Sequence, residues 1–173
     1  MSRLVKSFFI NRNSAGLLSR ITKTIFESNI NILRSQMVKS DNEFIYKTEC
    51  MLDKHSNNTM NGIISKYYKY DMPSNLYAKK QIHGDPKKFN IDIKYADSPE
   101  LIHEYTRILS GMDMDIEIET LQSGIDIAPM TGVYIFNMKI QIITPNNVTT
   151  DELVNNLNVI SDRLGVELVV RPL

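Results

Sequence analysis

Asn11–Ile32 reads NRNSAGLLSRITKTIFESNINI, and Tyr95–Ile116 reads YADSPELIHEYTRILSGMDMDI. The second stretch is the first written again, 84 residues later. Asn13 falls on Asp97, Ser14 on Ser98, Leu17 on Leu101, Thr22 on Thr106, Ile25 on Leu109, and Asn31-Ile32 on Asp115-Ile116. In each copy a polar loop follows a strand-like run, opens a helix, and leads into a second strand. Self-similarity of this kind predicts two copies of one folding unit.

The repeat divides the 173 residues into two units of roughly 80 each, predicted as 1–82 and 89–173 with a linker at 83–88. Units of that size bury a modest share of their surface, so the two are expected to pack on each other. With 42% hydrophobic and 23% charged residues the composition is that of a globular protein. Twenty basic and 20 acidic residues cancel, which disfavours direct nucleic-acid binding, because that activity needs clustered Lys and Arg. Lys79-Lys80 and Lys87-Lys88 form a local basic excess that reads as a solvated linker. No apolar run approaches the length of a membrane span, no signal-peptide pattern opens the chain, and Cys50 is the single cysteine. A soluble cytoplasmic protein is the expectation.

Outward from the repeated stretch, Leu4–Ile10 reads as a short strand rich in β-branched and aromatic residues. Leu17, Leu18, Ile21, Ile25 and Phe26 fall at helical spacing, with Ser14 as a candidate N-cap and Asn29 as a left-handed stop. Ile30–Val38 and Glu43–Leu52 read as strands. Met60, Ile63, Ile64, Tyr67 and Tyr68 mark a second helix to about Tyr70, and Leu76–Ile82 a fourth strand. The second unit repeats this order. Phe89, Ile91, Ile93 and Tyr95 alternate as a strand, and Ser98-Pro99-Glu100 opens a helix that ends at Gly111. Met114, Ile116 and Ile118 alternate next, followed by a predicted loop at Gln122–Gly132 and a strand from Tyr134 to Ile142. Thr149 and Glu152 form a capping box for a helix closed by Gly165, and Val166–Arg171 completes the unit. Each unit is β-α-β-β-α-β, so the fold class is α+β: two ferredoxin-like domains with antiparallel sheets. Asp115, Glu117 and Glu119 are then expected on a sheet edge, as charges that prevent unwanted pairing or, less simply, as a cation site.

No enzyme chemistry is legible. His55, His83 and His103 are scattered, none stands at metal-ligand or Cys-His spacing with Cys50, and no phosphate loop or nucleophile elbow occurs. No cofactor and no metal are predicted. Cys50, inside a strand, reads as a buried structural thiol. What remains is the loop Asn11-Arg12-Asn13-Ser14-Ala15-Gly16, which ends at a helix N-terminus whose free N–H groups favour a carboxylate. Ala15 and Gly16 admit a ligand close to the backbone, and Asn13 and Asn31 can both donate and accept hydrogen bonds, as an amino acid requires. Turn geometry alone accounts equally well for Asn and Gly at these positions.

Asn13-Ser14-Ala15-Gly16-Leu17, with Ser28-Asn29-Ile30-Asn31-Ile32, resembles the loop and second-strand motifs of ACT domains, small modules that bind amino acids. The tandem layout and Ala96-Asp97-Ser98-Pro99-Glu100-Leu101-Ile102 are most similar to the glycine cleavage system transcriptional repressor family. The resemblance implies a ligand site at Asn11, Asn13, Ser14, Ala15, Gly16, Leu17, Asn31 and Ile32, with a second-domain counterpart at Asp97, Ser98 and Asp115. Ala15 stands where the family has proline. Acids at Asp97, Glu100 and Asp115 place the better site in unit one, completed by unit two. The implied function is regulatory and non-enzymatic: glycine or serine is sensed and the signal passes to a protein partner such as a transcription activator. A ligand-free interaction module and a separate regulatory subunit of a metabolic enzyme are the rivals. Pairing of strand edges is expected to give either one eight-stranded sheet within the chain or, preferably, a homodimer.

Overall fold

The structure, a computed structural model, describes residues 3–12, 16–40, 43–67, 85–96, 100–112 and 114–173. Its elements run β1 (Arg3–Arg12), α1 (Leu17–Glu27), β2 (Asn31–Ser40), β3 (Glu43–Leu52), α2 (Lys54–Tyr67), β4 (Lys87–Ala96), α3 (Leu101–Gly111), β5 (Glu117–Ile127), β6 (Tyr134–Thr144), α4 (Thr150–Leu164) and β7 (Glu167–Pro172). The strand expected at Leu76–Ile82 lies outside the described residues. All seven strands form one antiparallel sheet in the order β1-β3-β2-β5-β6-β4-β7. The second half closes as a complete ferredoxin-like β-α-β-β-α-β, and the described part of the first half follows the same order.

The two halves meet twice. In the sheet, β2 pairs with β5 through Ser35↔Ser123, Gln36↔Gln122, Met37↔Leu121 and Val38↔Thr120. Above it, α1 lies against α3, with the Thr22 and Thr106 hydroxyls 3.4 Å apart. Thr22 and Thr106 are repeat equivalents, so an internal pseudo-twofold axis passes between them. Both halves carry the same irregularity in the sheet: a bulge at Leu33 between Ile32 and Arg34, and one at Glu119 between Ile118 and Thr120. The bulges place Asn31 on Glu117, the first residues of their strands, where sequence alone matched Asn31 to Asp115. Two extra residues between α3 and β5 account for the shift.

Amphipathic spacing explains the packing. Leu17, Leu18, Ile21 and Ile25 of α1, and Leu101, Ile102, Tyr105 and Leu109 of α3, are buried against the inward residues of the strands, with Phe9, Phe44, Tyr46, Phe89 and Phe136 the largest among them. Asn29 at φ 55 ends α1, and the Thr149/Glu152 box and Gly165 at φ 68 delimit α4, as residue type predicts. Three expectations are corrected. The N-cap of α1 is Gly16, at φ 70, and not Ser14, because the left-handed turn there needs a residue without Cβ. Strand β5 begins at Glu117 and runs to Ile127, through the segment expected to be a loop, because partners on both sides fix its backbone. For the same reason Glu117 and Glu119 do not border a free edge: Lys39 pairs with Glu117, and Lys88 with Glu119 at 2.9 Å. The edge pairing foreseen between units takes place inside the chain. Among the described residues no helix is long and apolar enough to cross a membrane, and no group of acidic, His and Cys side chains is arranged to hold a metal.

Candidate functional site

Strand register decides which of the expected site residues share a location. Asn11 pairs with Phe44, which pairs with Lys39, whereas Asn31 pairs with Met51, which pairs with Leu4. Asn11 thus sits seven residues further along its strand than the row holding Asn31, roughly 23 Å away. The two asparagines occupy opposite ends of the sheet. What stands at the Asn11 end instead is the start of β5, since Lys39 reaches Glu117. The helices agree: a Cβ on Gly16 would lie 3.8 Å from Ser110, in the last turn of α3. A first junction therefore joins Asn11 and Gly16 of one half to Ser110, Asp115 and Glu117 of the other. By the pseudo-twofold, a second junction joins Glu100, the cap of α3, to Phe26 and Asn31. Asn13, Ser14, Ala15, Asp97 and Ser98 lie outside the described residues.

The first junction is lined by small and polar groups. Gly16 leaves the first turn of α1 without a side-chain cap, so the backbone N–H groups there face outward with the positive end of the helix dipole. Asn11 Nδ2 donates to the Tyr67 carbonyl at 2.7 Å, and the Tyr67 hydroxyl lies 2.8 Å from Thr24 Oγ1, which ties the end of α2 to the end of β1 and to α1. Ser110 Oγ donates back to the Thr106 carbonyl at 2.7 Å, so α3 closes this side without a protruding side chain. Asp115 and Glu117 contribute negative charge, of which Lys39 offsets one unit. Leu17 is buried in the core, so only its backbone is offered to a ligand.

The second junction is built from the same positions and filled differently. Phe26 occupies the position equivalent to Ser110, and His103 that equivalent to Ser19. Their rings stack at 6.5 Å with an interplanar angle of 18°. Both are placed to block the space that the small residues leave at the first junction. Glu100 stands where Gly16 does, and Asn31 keeps a buried carbonyl oxygen with no hydrogen-bond partner among the described residues. Ile32, like Leu17, is core. Sequence reasoning missed Ser110, Phe26 and His103 as determinants. The repeat alignment does set Phe26 over Ser110 and Ser19 over His103, but only the α1–α3 packing shows that these positions face the junctions.

The fold and the two junctions define a doubled ferredoxin-like arrangement whose halves share one sheet. In solved structures, the chain is similar in fold to aspartate kinase from Synechocystis, with TM-score 0.59 and 15% identity over 97% of this chain and 28% of that one. It also matches an unknown protein from Galdieria sulphuraria, with TM-score 0.44 and 13% identity over 100% and 99% of the two chains. A provisionally named glycine cleavage system transcriptional repressor matches with TM-score 0.42 and 9% identity over 100% and 98%. No family model matches the chain, and no curated protein matches it in sequence. The chain spans little more than a quarter of the kinase, and the likeness there is one of fold.

Proposed function

We propose that this is a non-enzymatic regulatory protein that binds an amino acid at the first junction and passes the signal to a protein partner. The observation that carries the reading is the cross-half geometry at Gly16. It sets the uncapped N-terminus of α1 against the α3 end of the other half, with Asp115 and Glu117 near. A free amino acid carries a carboxylate and an ammonium a few ångströms apart. The helix N-terminus suits the first and an acidic strand start suits the second. Small residues at Gly16 and Ser110 favour a small ligand, glycine or serine. Asn31, at the far end, belongs to the second junction, which the Phe26–His103 stack disfavours as a ligand site. A transcription activator of glycine metabolism is the partner class this reading favours, with no direct contact to nucleic acid.

Thermal unfolding against the twenty amino acids at millimolar concentration tests it. A ligand at a hundred times its dissociation constant adds about 2.7 kcal/mol, several degrees for halves of this size. We expect one small amino acid to raise the midpoint of the native protein, and Gly16→Val, strained at φ 70 and intrusive towards Ser110, to abolish the shift. Asn31→Ala should leave the shift in place. An equal loss in Asn31→Ala would move the site to the second junction, and no shift with any amino acid would end the sensor reading.

A further inference from the structure

The sheet ends on two unlike strands. At one side β7 runs for 6 residues, Glu167–Pro172, and closes on a proline, which cannot donate to a further strand. At the other side β1 runs for 10, Arg3–Arg12, without a proline, and no strand lies on its outer side among the described residues. In the second half that place is filled. β7 lies outside β4, pairing Leu168 with Ile93 and Val170 with Ile91, and both side chains pack against the core. The repeat sets Phe9 of β1 on Ile93 and Ser7 on Ile91. In the same register, Leu76 and Ala78 of the strand expected at Leu76–Ile82 take the places of Leu168 and Val170. Lys80 then falls opposite Val5, and Tyr77 opposite Phe8, which is 51% exposed.

Chain length forbids that pairing within one molecule. Ile10, Ile45, Val38, Thr120, Gln141 and Asn90 form one row across the sheet, with β1 and β4 five strands apart. A strand outside β1 is therefore six spacings from β4, roughly 29 Å. Val5 precedes Ile10 and Lys87 precedes Asn90, and β1 and β4 run in opposite directions, so Val5 and Lys87 lie on opposite sides of the row and the path is longer still. From Lys80 to Lys87 the chain has seven steps, at most about 25 Å when fully extended. The residues early enough to lie outside β1 and still return, Asp71–Asn75, are Asp, Met, Pro, Ser and Asn, which are poor strand formers.

We infer that Leu76–Lys80 of one copy completes the first half of a second copy, lying antiparallel on the outer side of its β1, and that the exchange is mutual. The chain itself selects the occupant. It carries one strand-forming segment that its own edge cannot receive, and one long edge without the proline that ends β7. Nine steps from Tyr67 to Leu76 and seven from Lys80 to Lys87 let the segment leave its own molecule on both sides. Mutual exchange is a twofold arrangement and closes at two copies. The dimer follows from the length of one connection, so a longer connection gives a monomer of the same fold.

Sedimentation velocity of the full chain from about 1 to 100 μM tests the inference. The native protein is expected at twice 19.9 kDa. A variant with about twelve Gly and Ser residues added between Ile82 and His83 can close on its own β1, where the effective concentration is millimolar, so its dimer should weaken roughly a hundredfold or more. The same addition between Asp41 and Asn42 leaves that reach unchanged and should leave the dimer as it was. Far-UV circular dichroism checks that each variant folds. Should the first addition unfold the chain, hydrogen exchange of the native protein serves instead: the amides of residues 76–80 should be protected at the highest concentration. A native protein that stays monomeric throughout, a dimer equally strong in the lengthened variant, a dimer lost equally in the control, or freely exchanging amides at residues 76–80 would overturn the proposal.

Discussion

Beneath the helices, the two halves solve the same packing problem with opposite chemistry. In the first half the central row across the sheet is Ser7, Thr48 and Ser35, continued by Ser123 of β5. In the second half the equivalent row is Ile91, Ile140 and Leu121, continued by Met37 of β2. All eight are buried. Ser35 and Ser123 meet across the β2–β5 seam at 2.8 Å, so those two hydroxyls are satisfied. Ser7 Oγ has no hydrogen-bond partner among the described residues, and the Tyr46 hydroxyl, where the second half has Met138, and Thr48 Oγ1 have only Ser35 and the Cys50 thiol beside them, without the geometry of a full hydrogen bond. Burial pushes the Tyr46 phenol well above its ordinary range, and Ser35 beside it offsets only part of that shift. A buried hydroxyl without a partner costs about 1–3 kcal/mol. The contrast teaches that the half carrying the open junction has the costlier interior, and that the aliphatic half acts as the stable frame.

The comparison breaks hardest at Ile140. Writing the first half's residue into the second, Ile140→Thr, removes buried aliphatic volume and adds a hydroxyl with no acceptor, so a loss of about 2–4 kcal/mol is expected in urea unfolding. A loss below about 1 kcal/mol would mean that the aliphatic row is not close-packed. Next in size is the serine pair. Ser35→Ala should cost about 1–2 kcal/mol by stranding Ser123, while the double change of Ser35 and Ser123 to Ala should cost less than Ser35→Ala alone. Additive losses would show that the two hydroxyls are not coupled.

The smallest effect is the reverse exchange in the first half, Thr48→Val, expected to stabilise by about 1 kcal/mol. Cys50, two residues along the same face, reports on it locally. Burial pushes its thiol up to about 11, so at pH 8 it should react with a thiol reagent only when this half opens. Thr48→Val should slow that labelling. Faster labelling with lower stability would show that the hydroxyl is held by a favourable interaction, and would reverse the ranking of the two interiors.

Much of this was legible in residue order. Leu17, Leu18, Ile21 and Ile25 specify α1, and their repeats at Leu101, Ile102, Tyr105 and Leu109 specify α3, because burial at helical spacing is a local property. Asn29, Thr149 and Gly165 mark ends, because caps depend on one residue and its immediate neighbours. The site was legible only as a set of candidates. Asn11, Gly16, Asn31 and Asp115 stand out as residue types, yet nothing local tells that Asn11 and Asn31 end up at opposite ends of one sheet. Nor could the start of β5 be placed from its alternating acids, because Glu117 and Glu119 are held by lysines of β2 and β4.

By itself, then, the sequence determined the element types, their order and the doubled ferredoxin-like unit, since hydrophobic periodicity and capping act over a few residues at a time. Only tertiary structure decided that β2 and β5 join the units into one sheet, and that Gly16 faces Ser110 while Phe26 faces His103. Those are contacts between residues more than seventy positions apart, and their register follows from burying both halves together.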